Sequence, residues 1–379
     1  MISVVRTLLV AVAAILMTSP ALAASARHGG PGAVTASARL SGAPAGASAY
    51  RIHYRSSDPA GKPVVVTGAV IVPSGRAPAG GRNVVVWAHG ASGVAESCGL
   101  SDKPGFYDQI AGLNALLAAG YVVAAPDYQG LGSAGPHPFL VGVASAHSVI
   151  DAVRAARAMP QANAGRRYAL FGESLGGYSV LWAAIEAARY APELQLVGVA
   201  AAAPPTDLKA NLTGGTNAAV RAFLTAYTAS SWEKVYSLPL TTVVKPGTAT
   251  LIHALARNCV TLDGFKLRTK IGMLRLAMQL RNVDLAASPR WSALMERNSI
   301  DPAKLTVPMF IAQGGADAIV APGVTRNFVA ALCRRRAVVQ FMSIDGGDHV
   351  SVGKRSASAA IPWINDRFAG HQTSGNCAR

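Results

Sequence analysis

Ser174 lies in Gly172-Glu173-Ser174-Leu175-Gly176-Gly177, between an apolar run (Ala169-Leu170-Phe171) and a helical pattern from Tyr178 to Tyr190. A serine hydroxyl is a poor nucleophile at neutral pH. It needs an imidazole to take its proton, and the imidazole needs a carboxylate to fix its tautomer and stabilise its charged form. Both lie further along the chain. Gly314-Gly315-Ala316-Asp317 follows the apolar run Met309 to Ala312, and Asp345-Gly346-Gly347-Asp348-His349 follows the run from Val338. Gly-x-Ser-x-Gly alone is weak in a chain with 38 glycines. Serine, then acid, then histidine, each after a strand-like run, is far more specific and points to acyl transfer through Ser174, Asp317 and His349.

Each member has rivals. His89 belongs to a glycine-rich loop and reads as a turn-shaping residue. His137 sits beside Pro138, His147 and His253 lie on helical patterns, His53 lies on an early strand, and His28 and His371 are near the ends. Asp345 and Asp348 are too local to His349 to reach its ring readily, and Asp127 precedes the serine and reads as shaping a turn. Glu173 is expected to face solvent or form an ion pair. Charge developing on a carbonyl oxygen needs preorganised donors, usually the amide after the nucleophile. That amide is Leu175, and Ala91 or Ser92 in His89-Gly90-Ala91-Ser92-Gly93 is the second candidate. No metal-ligand cluster, glycosidase-type carboxylate pair or phosphate-cradling loop is apparent, so no cofactor and no metal are expected.

The elements that must position these residues alternate. Tyr50 to Arg55 and Val64 to Val72 read as an opening antiparallel hairpin. Asn83 to Ala88, Tyr121 to Ala125, Arg167 to Phe171 and Leu196 to Ala202 read as buried strands, with helical patterns at Ile110 to Ala119, Ala144 to Ala158 and after Ser174. This predicts an α/β fold: a mostly parallel sheet flanked by helices. Between Thr206 and Ser299 the alternation stops. Thr216 to Trp232, Thr248 to Arg257, Gly264 to Arg281 and Arg290 to Asn298 read as helices, and strands resume at Val307 and Val338. The expected organisation is a signal peptide (1–23), a loose leader (24–46), a first core half (47–205), an inserted helical cap (206–299) and a second core half (300–379).

The signal reading rests on Arg6, the apolar Leu8 to Met17 and the small-x-small Ala21-Leu22-Ala23. It predicts a secreted protein, extracellular or periplasmic, with no transmembrane segment. Four cysteines with no Cys-x-x-Cys spacing then favour disulfides over metal binding, with three pairings open. The formal charge of +16 could suit anionic lipid or polymers, but the charges are scattered and no nucleic-acid motif is present.

Taken together, these residues resemble the secretory lipase family of the α/β-hydrolases, the fungal-type secreted lipases and their bacterial relatives. The resemblance runs from about Tyr50 to Cys377. It is carried by Tyr50-Arg51-Ile52-His53-Tyr54 with Gly68 to Pro73, by Trp87-Ala88-His89-Gly90 leading to Cys98, and by Ala125 to Gly132. His137-Pro138-Phe139-Leu140, the Ser174 turn and Ala203-Pro204-Pro205-Thr206-Asp207-Leu208 complete it. It implies the α/β-hydrolase fold with a helical cap over Ser174, Asp317 and His349, cleavage of acyl esters such as acylglycerols, and the disulfides Cys98–Cys259 and Cys333–Cys377. Glu173-Ser174-Leu175 departs from the family's commoner Ser-Gln-Gly and Ser-Gly-Gly. A serine peptidase or amidase of the same fold is the rival reading, and a non-catalytic binding module a third. Within the cap, Phe265 to Leu280 interleaves apolar residues with Lys266, Arg268, Lys270 and Arg275. It reads either as a helix lying on a lipid surface or as a packed cap helix with basic residues reaching solvent. Apolar positions more than one face wide favour packing.

Overall fold

The computed structural model describes residues 29–214, 217–260 and 266–377. Its strands are β1 (Val34–Leu40), β2 (Ala47–Ser57), β3 (Pro63–Pro73), β4 (Arg82–Ala88), β5 (Val122–Pro126), β6 (Ala164–Glu173), β7 (Gln195–Ala202), β8 (Met309–Gly314) and β9 (Val339–Ile344). They form one sheet in the order β1-β2-β3-β5-β4-β6-β7-β8-β9. The pairings from β1 to β5 are antiparallel, and those from β5 to β9 are parallel.

The parallel strands carry apolar residues on both faces because helices cover both. Val84 and Val86 of β4 pack with Val149 and Ile150 of α2 (Gly142–Ala158) and with Tyr178 and Leu181 of α3 (Leu175–Tyr190). Their neighbours Val85 and Trp87 point the other way. They join Leu113 and Leu116 of α1 (Leu113–Ala118) and Ile361 and Ile364 of α10 (Val352–Ala369). Between β8 and β9, α9 (Pro322–Arg334) buries Phe328 and Leu332.

Between β7 and β8 run α4 (Leu208–Gly214), α5 (Ala218–Val235), α6 (Pro246–Ala256), α7 (Leu267–Gln279) and α8 (Pro289–Asn298). The buried indoles of Trp232 and Trp291 stack at 5.7 Å and join α5 to α8. Polar bonds fasten these helices to the sheet side. The Trp232 Nε1–H donates to the Phe139 carbonyl (2.9 Å), the Ser231 hydroxyl to the His137 carbonyl (2.6 Å), and the Tyr178 hydroxyl to the Asn298 carbonyl (2.9 Å). Cys98–Cys259 adds a covalent tie between the loop after β4 and the segment after α6.

Cys333–Cys377 holds the C-terminal tail against the outer edge of β9. There the Asn376 amide donates to the Val339 carbonyl (2.9 Å). Its side chain accepts from the Phe341 amide (2.6 Å) and donates to the Phe341 carbonyl (2.7 Å).

Three findings depart from or add to the sequence-based expectations. Most of the supposed loose leader that is described here is ordered: β1 pairs with β2 from Val34↔Tyr54 to Leu40↔Ala49. Its side chains are nearly all exposed, so no apolar alternation announces it, and backbone pairing to β2 holds it. α4 is a short cap helix without a visible pattern of its own. The third correction is α7, which is packed on one face only: Thr269, Met273 and Leu276 are buried, while Leu267, Ile271, Leu274 and Met278 are exposed. The segment 1–23 and Phe265 lie outside the described residues. Among those described, no helix is long and apolar enough to cross a membrane.

Candidate active site

β6 ends at Glu173 and α3 begins at Leu175, leaving Ser174 alone to make the turn, at φ 53° and ψ −120°. A non-glycine residue with positive φ is held there only by its surroundings. Here the Ser174 amide donates to the Ala202 carbonyl (2.8 Å) and its carbonyl accepts from the Tyr178 amide (3.0 Å). The flanking glycines are sterically required. A Cβ at Gly176 would overlap the Ala88 carbonyl, and one at Gly172 would come within 2.5 Å of the Gly176 backbone.

The Ser174 Oγ lies 2.8 Å from His349 Nε2, and His349 Nδ1 lies 2.8 Å from Asp317 Oδ2. His349 is in the loop between β9 and α10, and Asp317 in the loop between β8 and α9. Residues 32 and 175 positions apart in sequence thus meet at the carboxyl ends of three parallel strands, β8 and β9 side by side and β6 one strand further along the sheet, beyond β7. Asp317 is buried, and its second oxygen accepts the amides of Ile319 and Val320, both at 2.9 Å. Its Oδ2 also accepts from Gln313 Nε2 (3.0 Å), whose own Oε1 accepts the Thr325 hydroxyl (2.6 Å). With every carboxylate oxygen saturated by donors, Asp317 can orient the imidazole and stabilise positive charge on it. Gln313 and Thr325 were not anticipated. The only signal was a polar residue closing the otherwise apolar Met309-Phe310-Ile311-Ala312.

Beside Ser174 lies a cavity of ≈ 40 Å³, lined by Ala91, Phe139, Leu140, Leu175, Leu212 and Leu224 among others. Ser92, the alternative to Ala91, turns elsewhere: its carbonyl accepts the Val260 amide (2.8 Å), and its buried hydroxyl has no hydrogen-bond partner among the described residues.

Glu173 contradicts its expected role. It is half-buried, and it makes no ion pair or side-chain hydrogen bond with the described residues. Its carboxyl packs against Gly353 at the start of α10, where any Cβ would overlap it. Burial pushes it up to about 7, against the opposing charges of His349 and Lys354.

The rivals are structural. Asp127 is buried; it accepts the amides of Leu100 (2.9 Å) and Ser101 (2.8 Å) on one oxygen and the hydroxyls of Thr67 (2.7 Å) and Ser101 (2.5 Å) on the other. His89 is buried against Tyr128, at 4.8 Å between rings, and burial lowers its pKa. His137 is lowered to about 4 for the same reason. His147 stacks on Tyr190 at 3.8 Å, and His253 pairs with Glu233 at 3.1 Å. No cluster of three or more His, Cys, Asp or Glu among the described residues could hold a metal.

A mostly parallel sheet between helices, with a serine on a strained strand-to-helix turn and its histidine and acid on later loops, defines an α/β-hydrolase. Lipase A of Candida antarctica in its closed state shares this fold at a TM-score of 0.73, covering 92% of this chain and 84% of that one at 18% identity. The chain belongs to the secretory lipase family, a family of carboxylic ester hydrolases, whose model matches residues 107–376. Lipase A of Arthroderma benhamiae is 24% identical over 355 residues, 87% of this chain and 73% of its own length. Lipase 7 of Candida albicans is 32% identical over 167 residues, 40% of this chain and only 37% of its own length.

Proposed function

We propose that this chain is a secreted serine esterase or lipase that cleaves acyl esters through an acyl-enzyme on Ser174. The observation that carries the reading is the continuous relay from Ser174 through His349 to Asp317, each link at 2.8 Å. His349 Nε2 takes the Ser174 proton as Oγ attacks the ester carbonyl carbon. The resulting imidazolium is stabilised by Asp317 and gives that proton to the departing alcohol. Water then enters and attacks the acyl carbon as His349 takes its proton; the bond from that carbon to Ser174 Oγ breaks, His349 returns the proton to Oγ, and the acid is released. The Leu175 amide, first in α3 after the nucleophile, and the Ala91 amide hold the oxyanion. Ala91 is preferred to Ser92 because it lines the cavity at Ser174.

The apolar lining favours a hydrocarbon acyl group over a charged one. The two disulfides and the family's secretory character support an oxidising destination, extracellular or periplasmic.

The test is hydrolysis of nitrophenyl esters from short to long acyl chains, beside the matching anilides, with Ser174→Ala as control. We expect ester turnover that Ser174→Ala abolishes without altering the melting temperature, and stoichiometric fluorophosphonate labelling at Ser174. Anilide cleavage outpacing ester cleavage would transfer the assignment to a peptidase or amidase. Unlabelled Ser174 in folded protein would make the fold a binding module.

A further inference from the structure

We propose that the outward face of α7 is the surface by which the protein settles on an anionic phospholipid interface. The inference rests on the ester-hydrolase reading only in giving that contact a purpose. A helix on the surface of a globular protein ordinarily has one apolar stripe, directed inward. α7 has two. The inner one is Thr269, Met273 and Leu276, with Gly272 against Leu255.

The outer one is Leu267, Ile271, Leu274 and Met278, exposed by 72%, 49%, 58% and 70%. These are four of the six large exposed hydrophobics among the described residues. At 3.6 residues per turn they fall within an arc of about 60°, nearly opposite the buried stripe. Exposed apolar residues scattered singly are ordinary, but four aligned on three turns form a continuous ridge.

The charges around the ridge select its occupant. Lys266 and Lys270 flank it on one side, and Arg268 and Arg275 on the other. Arg281 follows just beyond the helix, and no acidic residue occurs between positions 266 and 281. None of these five cations takes part in an ion pair among the described residues. A second copy docked ridge to ridge would bring like charges together. An anionic bilayer offers both partners at once: acyl chains for the ridge, and headgroup phosphates for the cations that rim it. The pattern is that of a helix lying in the plane of the interface, and each cation close to the surface strengthens attachment about fivefold.

The test is co-sedimentation of the intact protein with vesicles of phosphatidylcholine alone or of equimolar phosphatidylcholine and phosphatidylglycerol. The chain carries Ser174→Ala, so that no lipid is consumed. We expect binding to the anionic vesicles, weakened by salt and at least tenfold poorer with phosphatidylcholine alone. Leu274→Asp with Met278→Asp, and separately Lys270→Gln with Arg275→Gln, should each lower it about tenfold or more. The same pairs in the parent enzyme should leave hydrolysis of a short soluble ester unchanged, which certifies folding.

Equal sedimentation of parent and variants, or no binding of the parent, would overturn the proposal. So would parent self-association in analytical ultracentrifugation that Leu274→Asp with Met278→Asp abolishes while vesicle binding persists, since the ridge would then seat a second copy. Vesicle binding by a parent enzyme that hydrolyses no ester would instead defeat the functional reading and leave this one standing.

Discussion

At the residue scale, the relay depends on Asp317 being a carboxylate and not merely a polar group. Asp317→Asn would present its amide N–H where His349 Nδ1–H must donate, favouring the wrong tautomer, and kcat should fall about 10⁴-fold in steady-state assays with stability little changed. Gln313 acts through Asp317. Gln313→Leu should lower kcat with KM unchanged, whereas Gln313→Glu should also disturb the pH profile by placing a second carboxyl beside the first. Glu173 yields a prediction of stability. Its folded-state value, about 7, stands above the ordinary 4.5. The folded protein therefore binds this proton more tightly than the unfolded chain, and stability falls as pH rises between those values. Glu173→Gln removes the penalty. The variant should match the parent near pH 4 and exceed it by up to about 3 kcal/mol at pH 8, read from denaturant midpoints. The grouping of Ser174, Asp317 and His349 was legible because the proposed acyl transfer would need those residue types in that chain order. Gln313 and the burial of Glu173 were not, because a lone amide or carboxyl beside a motif has no spacing rule. Gln313 gains its surroundings only where the chain after β8 turns into α9, and Glu173 only where the end of β6 meets α10.

Among the elements, those with a strong period were readable. The continuous apolar runs of β4 and β5 and the β-branched Val64 to Val72 mark buried strands whichever partner they take. β1 was not readable, since its mostly exposed side chains tell nothing of a strand held by its backbone. α7 misled for the opposite reason. Apolar residues all around a helix normally mean burial, yet here one face remains outside. The turn at Ser174 leaves no room for added side-chain atoms at its flanking glycines. Gly176→Ala would drive a methyl group into the Ala88 carbonyl, so the variant should lose fold and activity together, visible as lost near-ultraviolet circular dichroism. The Cys98–Cys259 bridge closes a separation of 161 residues and ties the helical insertion to the loop bearing Ala91. Replacing both cysteines by serine should lower the unfolding free energy by about 2–5 kcal/mol in denaturant titrations.

For the molecule as a whole, the insertion and the sheet form one unit around the turn at Ser174, joined by buried hydroxyls, indoles and a disulfide. The order of elements was legible from the point at which alternation stopped and resumed. Which face of the insertion meets the sheet was not, since that depends on bonds such as Trp232 to Phe139 that no pattern encodes. The C-terminal tail bears on a different property. A nine-stranded sheet has two open borders, and an uncovered border can recruit a strand from another chain. By lying along β9 with Asn376 bonded to Val339 and Phe341, the segment around Asn376 occupies that border, and Cys333–Cys377 keeps it there. The tail therefore bears on solubility. Freed by Cys333→Ser with Cys377→Ser, the protein should retain its turnover when dilute and become turbid when concentrated, its losses scaling with protein concentration rather than with time at temperature.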